Sequence, residues 1–352
     1  VYGSGQFQLG SLAGFSGFEE IRMINYSNSS QQLFLRADEI ANVSTTGSGQ
    51  KYIYLGTGQT TLAGGEGTDY VYANAVPSSG NVRSWNDGNV LDGGSGFDYL
   101  TIGGSSSGTT DLRSSTVKNF EYLYIYDGKV VVDAEQMDSV SYVWGNSTSK
   151  MSTFDEVLDL RDMNVQQVSV ISENATGTTF KVNSLATAFQ IVGGSGADTI
   201  EASGFTFTAD QREAIFSGSI EAISDGSGIY GNGGSNSLQA FATGSELFGG
   251  AGNDFLISDV GNDVMTGGSD SDTFTFAATS GQDLIKDFQG LGAANGDQID
   301  LSALAGEIDS YNDLVANNLE DVSGSAVIAW GDNKIVLESV LKADLHADDF
   351  LF

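Results

Sequence analysis

The chain contains no cysteine, a single proline (Pro77) and a single histidine (His346). Without cysteine there is no disulfide framework, no thiol nucleophile and no Cys-based zinc or iron site. One histidine excludes His-based triads, multi-His zinc centres and the HExxH metalloprotease motif. Basic residues are scarce: 14 Lys and Arg face 46 Asp and Glu, for a net charge of −32. Such a balance excludes a nucleic-acid partner, whose phosphates need Lys and Arg, and disfavours anionic membrane surfaces. No run of about 18 apolar residues suggests a membrane span, so no membrane insertion is expected. The start, Val1-Tyr2-Gly3-Ser4, has no signal-peptide character, and the missing Met suggests a piece of a longer chain. No G-x-S-x-G elbow with partners is present, and no helix follows the G-x-G runs as a dinucleotide fingerprint requires.

What is abundant is glycine, at 47 residues, together with 20 Phe and 13 Tyr. Glycine without proline fits tight turns between hydrogen-bonded strands rather than a disordered low-complexity chain. A chain of 352 residues is long enough for two or more modest domains. Its excess negative charge repels itself unless cations relieve it, and hard oxygen ligands suit calcium.

A strict nine-residue period organises the second half. Residues 248–256 read FGGAGNDFL, 257–265 ISDVGNDVM and 266–274 TGGSDSDTF. Asp254, Asp263 and Asp272 share one column, and Ile229, Leu238, Leu247, Leu256, Met265 and Phe274 share another. An earlier array covers 47–55, 56–64 and 65–73, where Asp69 carries the acid and Lys51 and Thr60 stand at the equivalent positions. Val182, Ile191 and Ile200 keep step ahead of GGSGADTIEA (193–202), and GGSGFDYLTI spans 93–102. One nine-residue unit cannot bury its apolar side, whereas stacked units can. The expected fold is all-β: a right- or left-winding parallel β-solenoid, or β-roll. Units n and n+2 should share an edge, pairing Asp254 with Asp272.

GGAGNDFLI (249–257), GGSGADTIE (193–201), GGSGFDYLT (93–101) and GGEGTDYVY (64–72) resemble the nonapeptide of the RTX, or repeats-in-toxin, family, G-G-x-G-x-D-x-hydrophobic-x. The resemblance implies that the sixth-position carboxylate binds Ca²⁺, with turn carbonyls completing the shell. Carried over residue by residue, the metal ligands are Asp69, Asp98, Asp198, Asp254, Asp263 and Asp272, with carbonyls of Gly249, Ala251 and Asn253. Asn236 takes the Asp position without its charge, and Asp270 replaces a turn glycine.

DTFTF (272–276), DLIKDF (283–288) and GDQIDLSAL (296–304) resemble the segment that closes β-rolls in type I secreted proteins, and ADDFLF (347–352) resembles the terminus read by that exporter. Asp283, Asp287, Asp297 and Asp300 are candidate ligands of a final calcium site. The expected domains are 1–185, a solenoid with large rungs and interspersed RTX repeats; 186–282, the calcium β-roll; and 283–352, the closing segment and secretion signal. GFEEIRMINY (17–26) and NFEYLYIYDG (119–128) suggest a duplicated module of about 100 residues, with a weaker echo at 154–170. Only 210–216 and a stretch near 309–319 read as helical.

The resemblance implies a calcium-binding protein secreted by a type I exporter to the outside or surface of a Gram-negative bacterium. It would be the C-terminal region of an S-layer protein or large adhesin, folding on calcium and assembling with itself into a lattice. The alternatives are the secretion and folding module of an enzyme (hydrolase, lyase or epimerase) whose catalytic domain lies upstream, or a carbohydrate-binding adhesin domain meeting cell-surface glycan. For the last, Tyr52, Tyr54, Tyr70, Tyr72, Tyr122, Tyr124 and Tyr126 offer rings, against simple packing on a pleated surface. No catalytic residue is assigned, since nothing in the sequence sets Arg83, Arg113, Lys118, Lys150 or Arg161 beside an acid pair.

Overall fold

The computed structural model describes 41–55, 59–73, 88–103, 108–290 and 296–352, together with the backbone of the strands Gly5–Gln8, Ile21–Ile24 and Gln31–Phe34. Phe18, Pro77 and Arg83 lie outside the described residues, so the proposed duplication is described mainly in its second copy. The chain divides into two compact units, Val1–Gly196 and Ala197–Phe352. Each is a β-solenoid built mostly of parallel strands.

Alternation decides which side chains enter the first unit. In Tyr122–Tyr126, Leu123 and Ile125 are buried while the tyrosines face outward. Parallel register then stacks the inward residues: Ile53 on Val71, Leu100, Leu123, Val143 and Val165. These belong to one sheet of eight strands. A second sheet contributes Val43, Leu62, Leu91 and Val117, and a third contributes Val130, Met151, Val170 and Ile191. All are buried. Each such side chain removed from water contributes about 1.5–3 kcal/mol.

In the second unit the nine-residue column divides between two sheets. Ile229, Leu247, Met265 and Ile285 stack with Leu337. Leu238, Leu256, Phe274 and Ile299 stack with Phe350. Both stacks enter one hydrophobic core.

The expectation of parallel strands fails in two places. Ala222–Asp225 pairs antiparallel with Gly228–Gly231, and Leu319–Val322, Ser325–Trp330 and Asn333–Leu337 form an antiparallel meander. The cause is local. Ser323 and Gly324 both adopt positive φ, 53° and 87°, the turn that reverses a strand within two residues. Helices form at both expected places and also at Leu185–Ala188, a short α-helix capped by Ser184 that the sequence pattern does not predict. Ala209–Phe216 is α-helical, with Thr208 and Gln211 closing a reciprocal cap at its start. Tyr311–Asp313 starts a turn that widens into a π-helix at Leu314–Asn318.

Candidate metal sites in the turns

The sixth-position acids of the second unit lie along its turns as two hydrogen-bonded ladders. On one edge, the Asn236 N–H donates to Asp254 Oδ1 at 2.8 Å, the Asp254 N–H to Asp272 Oδ1 at 2.9 Å, and the Asp272 N–H to Asp297 Oδ1 at 3.0 Å. On the other, Ser245 N–H donates to Asp263 Oδ1 at 2.8 Å and Asp263 N–H to Asp283 Oδ1 at 2.9 Å. Asp254 and Asp272 therefore pair across one edge, while Asp263 belongs to the other.

The second carboxylate oxygens differ from acid to acid, also within one edge. Asp263 Oδ2 accepts from Asp259 N–H at 3.2 Å, and Asp297 Oδ2 accepts from Gln289 N–H at 2.7 Å. Asp254 Oδ2 and Asp272 Oδ2 are buried and have no hydrogen-bond partner. They are packed against their own turns: a Cβ on Gly249 would lie 2.4 Å from Asp254 Oδ2 and 2.4 Å from the Gly267 carbonyl oxygen. A Cβ on Gly267 would lie 2.3 Å from Asp272 Oδ2. The first glycine of the nonapeptide is thus what allows a carboxylate and a carbonyl of the neighbouring rung to converge. Gly250 and Gly252 turn the chain at φ of 109° and 99°. Asp270, in the place of a glycine, adopts φ 78°, a conformation Asp tolerates, and its carboxylate accepts from Gly252 N–H at 3.2 Å.

Burial, outweighing the hydrogen bonds these acids accept, pushes Asp254 up to about 6, and Asp272 and Asp283 to about 7. Burial also raises Asp263 and Asp297. A buried, unpaired carboxylate oxygen is costly, and a hard divalent cation is the partner that oxygen donors suit. Among the described residues no three His, Cys, Asp or Glu side chains converge. Any such cation would thus be held by single carboxylates and backbone oxygens of the turns, the donor chemistry the sequence implied for Gly249, Ala251 and Asn253. Asn253 also ties the rungs through its side chain, whose Oδ1 accepts from Ser271 N–H at 3.1 Å.

In the first unit, Asp98 repeats the pattern. Its Oδ1 accepts from Asp69 N–H at 2.7 Å, its buried Oδ2 has no hydrogen-bond partner, and burial lifts it to about 7. Asp69 differs, because its carboxylate meets Thr45 Oγ1 at 2.6 Å and the Lys51 ammonium at 3.6 Å. Asp198 is buried, and its N–H donates to Glu221 Oε2 at 2.7 Å. Asp287 receives Gly267 and Gly268 N–H at 2.9 and 2.8 Å. Asp300 stands apart from both ladders. It is partly exposed, and its Oδ1 accepts from Ser302 N–H at 2.9 Å at the start of the turn Ser302–Leu304.

Sequence reasoning missed Glu121 and Glu221. Each continues a ladder, accepting the N–H of Asp98 and of Asp198 at 2.7 Å, but 23 residues away. A nine-residue period does not reach them. Their shared signal is a left-handed residue, Asn119 or Ser219, two positions earlier, followed by buried Phe120 or Ile220.

A ladder through Tyr99 joins Tyr52 and Tyr70 to Tyr122, while Tyr124 packs with Tyr126 and Trp144. Tyr70 stacks at 4.6 Å on Tyr52 and at 4.6 Å on Tyr99, and Tyr99 continues to Tyr122 at 5.0 Å. Tyr54 stacks on Tyr72 at 4.6 Å. The faces of Tyr70 are taken by its neighbours, so packing, not sugar stacking, accounts for the middle of the row.

The sequence profile of the RTX calcium-binding nonapeptide repeat matches four copies, over 53–75, 190–204 and 245–274. The chain therefore carries RTX calcium-binding repeats. No curated protein matches it. Among solved structures it is similar to the extracellular lipase LipA from Serratia marcescens, with 13% identity over 88% of this chain and 67% of that one, at a TM-score of 0.23.

Proposed function

We propose that this chain is a non-catalytic, extracellular structural module that folds on calcium after export. The observation carrying this reading is the set of buried carboxylate oxygens without hydrogen-bond partners at Asp98, Asp254 and Asp272, in a chain of net charge −32. Calcium would be held by those oxygens and nearby turn carbonyls. It supplies folding free energy by binding a set of ligands that exists only in the coiled state. Intracellular calcium is low, so the uncompensated acids keep the chain loose until it is outside. This suits passage through a type I exporter of a Gram-negative bacterium and a place at the cell surface, as part of an S-layer or large adhesin in which calcium also bridges copies.

A calcium titration followed by circular dichroism and light scattering tests this. A cooperative gain of β structure, reversed by chelator, is expected, with particles growing as calcium rises. A chain already folded in chelator at neutral pH and indifferent to calcium would refute the reading. A chain that folds on calcium yet stays monomeric would refute the lattice alone.

A further inference from the structure

Among the sixth-position residues, Lys51 is the one that supplies a positive charge. It lies directly beside Asp69 in the parallel register and its side chain is fully buried. Its Nζ donates to the Gly47 carbonyl at 2.6 Å and to the Glu66 carbonyl at 2.7 Å, and sits 3.6 Å from Asp69 Oδ1. Two backbone oxygens from successive turns on one edge, plus the sixth-position carboxylate, are the donor set the repeat offers to a cation. The ammonium hydrogen-bonds the two carbonyls and faces the carboxylate as an ion pair, so one cation meets all three oxygens. The other Asp69 oxygen accepts from Thr45 Oγ1 at 2.6 Å, and that hydroxyl accepts from Gly65 N–H at 2.8 Å. Asp69 Oδ1 has no hydrogen-bond partner, like the second oxygens of Asp98, Asp254 and Asp272, but unlike them it is ion-paired, with an ammonium 3.6 Å away.

We propose that Lys51 is a tethered substitute for calcium: its ammonium occupies the cation position between the turns at 47–50 and 64–68, so that Asp69 binds no metal and this rung closes without calcium. On this proposal Asp69 is not a ligand, although the repeat resemblance implied that it is. It rests on the calcium reading of the other repeats. A rung already neutralised when the chain leaves a low-calcium compartment gives the neighbouring Asp98 turn a formed template, since Asp69 N–H already holds Asp98 Oδ1. The first unit would then order at lower calcium than the second.

Calcium stoichiometry, measured on the full chain by equilibrium dialysis, separates the possibilities. Asp69→Asn is expected to leave the number of bound ions unchanged, whereas Asp272→Asn lowers it. Lys51→Asp, which exchanges the ammonium for a second carboxylate, is expected to add one ion. Since Lys51→Asp can fail to fold, a second measurement uses the native chain. Reductive methylation in chelator, read by mass spectrometry, should spare Lys51 while exposed Lys118 is modified. Loss of an ion in Asp69→Asn, or methylation of Lys51 as fast as Lys118, overturns the proposal and leaves the calcium reading standing. Native protein that binds no calcium overturns both.

Discussion

Protons should substitute for calcium in the second unit. Asp254, Asp272 and Asp283 have values of about 6, about 7 and about 7 in the folded chain, against 3.8 for a free Asp side chain. Burial is the first cause at each. These acids hold their protons more tightly folded than unfolded, so protonation favours the fold. In chelator this stabilisation is complete below 3.8 and is lost as the pH climbs through about 6 to about 7. Raising a carboxyl from 3.8 to about 7 corresponds to roughly 4 kcal/mol, at about 1.4 kcal/mol per pH unit. Water reaching the turn edges reduces that to roughly 2 kcal/mol per acid. Three acids then account for ~6 kcal/mol, comparable with the whole stability of a domain, about 5–15 kcal/mol.

The assay is urea unfolding in chelator across pH, followed by circular dichroism and by the fluorescence of buried Trp330. Stability should be higher near pH 5 than near pH 8, with the difference abolished by millimolar calcium, which takes the place of the protons. General charge repulsion predicts a similar slope, so a variant separates the two. Asp272→Asn keeps an oxygen for the Asp254 N–H and removes the charge. It should stabilise the chelated chain at high pH by roughly 2 kcal/mol and flatten the slope, while weakening calcium binding. Chelated protein equally stable at both pH values, or an Asp272→Asn variant no more stable at high pH, would refute the reasoning.

Other perturbations address neighbouring parts of the same physics. Gly249→Ala places a methyl 2.4 Å from Asp254 Oδ2 and the Gly267 carbonyl; a loss of about 1–3 kcal/mol and weaker calcium binding is expected from overpacking, read by thermal unfolding with and without calcium. Phe274→Ala empties a fully buried position of the core and should cost about 3–5 kcal/mol in calcium; an unchanged midpoint would contradict the stacking. Tyr70→Ala removes two ring stacks, each about 0.5–1.5 kcal/mol, and should lower the stability of the first unit. A glycan array whose signal vanished with Tyr70 would restore the sugar-binding alternative.

The parts of the fold legible in the sequence are those where one local rule repeats without interruption. Ile229 to Phe274 keep a nine-residue step because each rung has two equal halves, so every inward position recurs on the opposite sheet. Once rungs lengthen, the period disappears although the register survives. Asp98 meets Glu121 after 23 residues and Asp272 meets Asp297 after 25. The extra residues form loops or corners that no short period describes. Asp300 illustrates the converse: an acid in a suggestive run, GDQIDLSAL, is drawn to the nearest N–H, on Ser302, instead of the ladder.

Composition misleads in the same way when charges are counted but not placed. A net charge of −32 suggests that every turn acid needs an external cation. Yet backbone N–H groups satisfy both oxygens of Asp297 and Asp287, while Thr45 bonds one oxygen of Asp69 and the Lys51 ammonium offsets the charge of the other from 3.6 Å. The demand for calcium is therefore set by how many carboxylate oxygens the fold leaves with neither a hydrogen-bond donor nor a counter-charge, and it is concentrated at Asp98, Asp254 and Asp272. These three share a glycine-led turn ahead of the acid and no basic or hydroxyl side chain bonded to the remaining oxygen. The nonapeptide thus marks where a cation can bind, and the neighbouring rung decides whether one is needed.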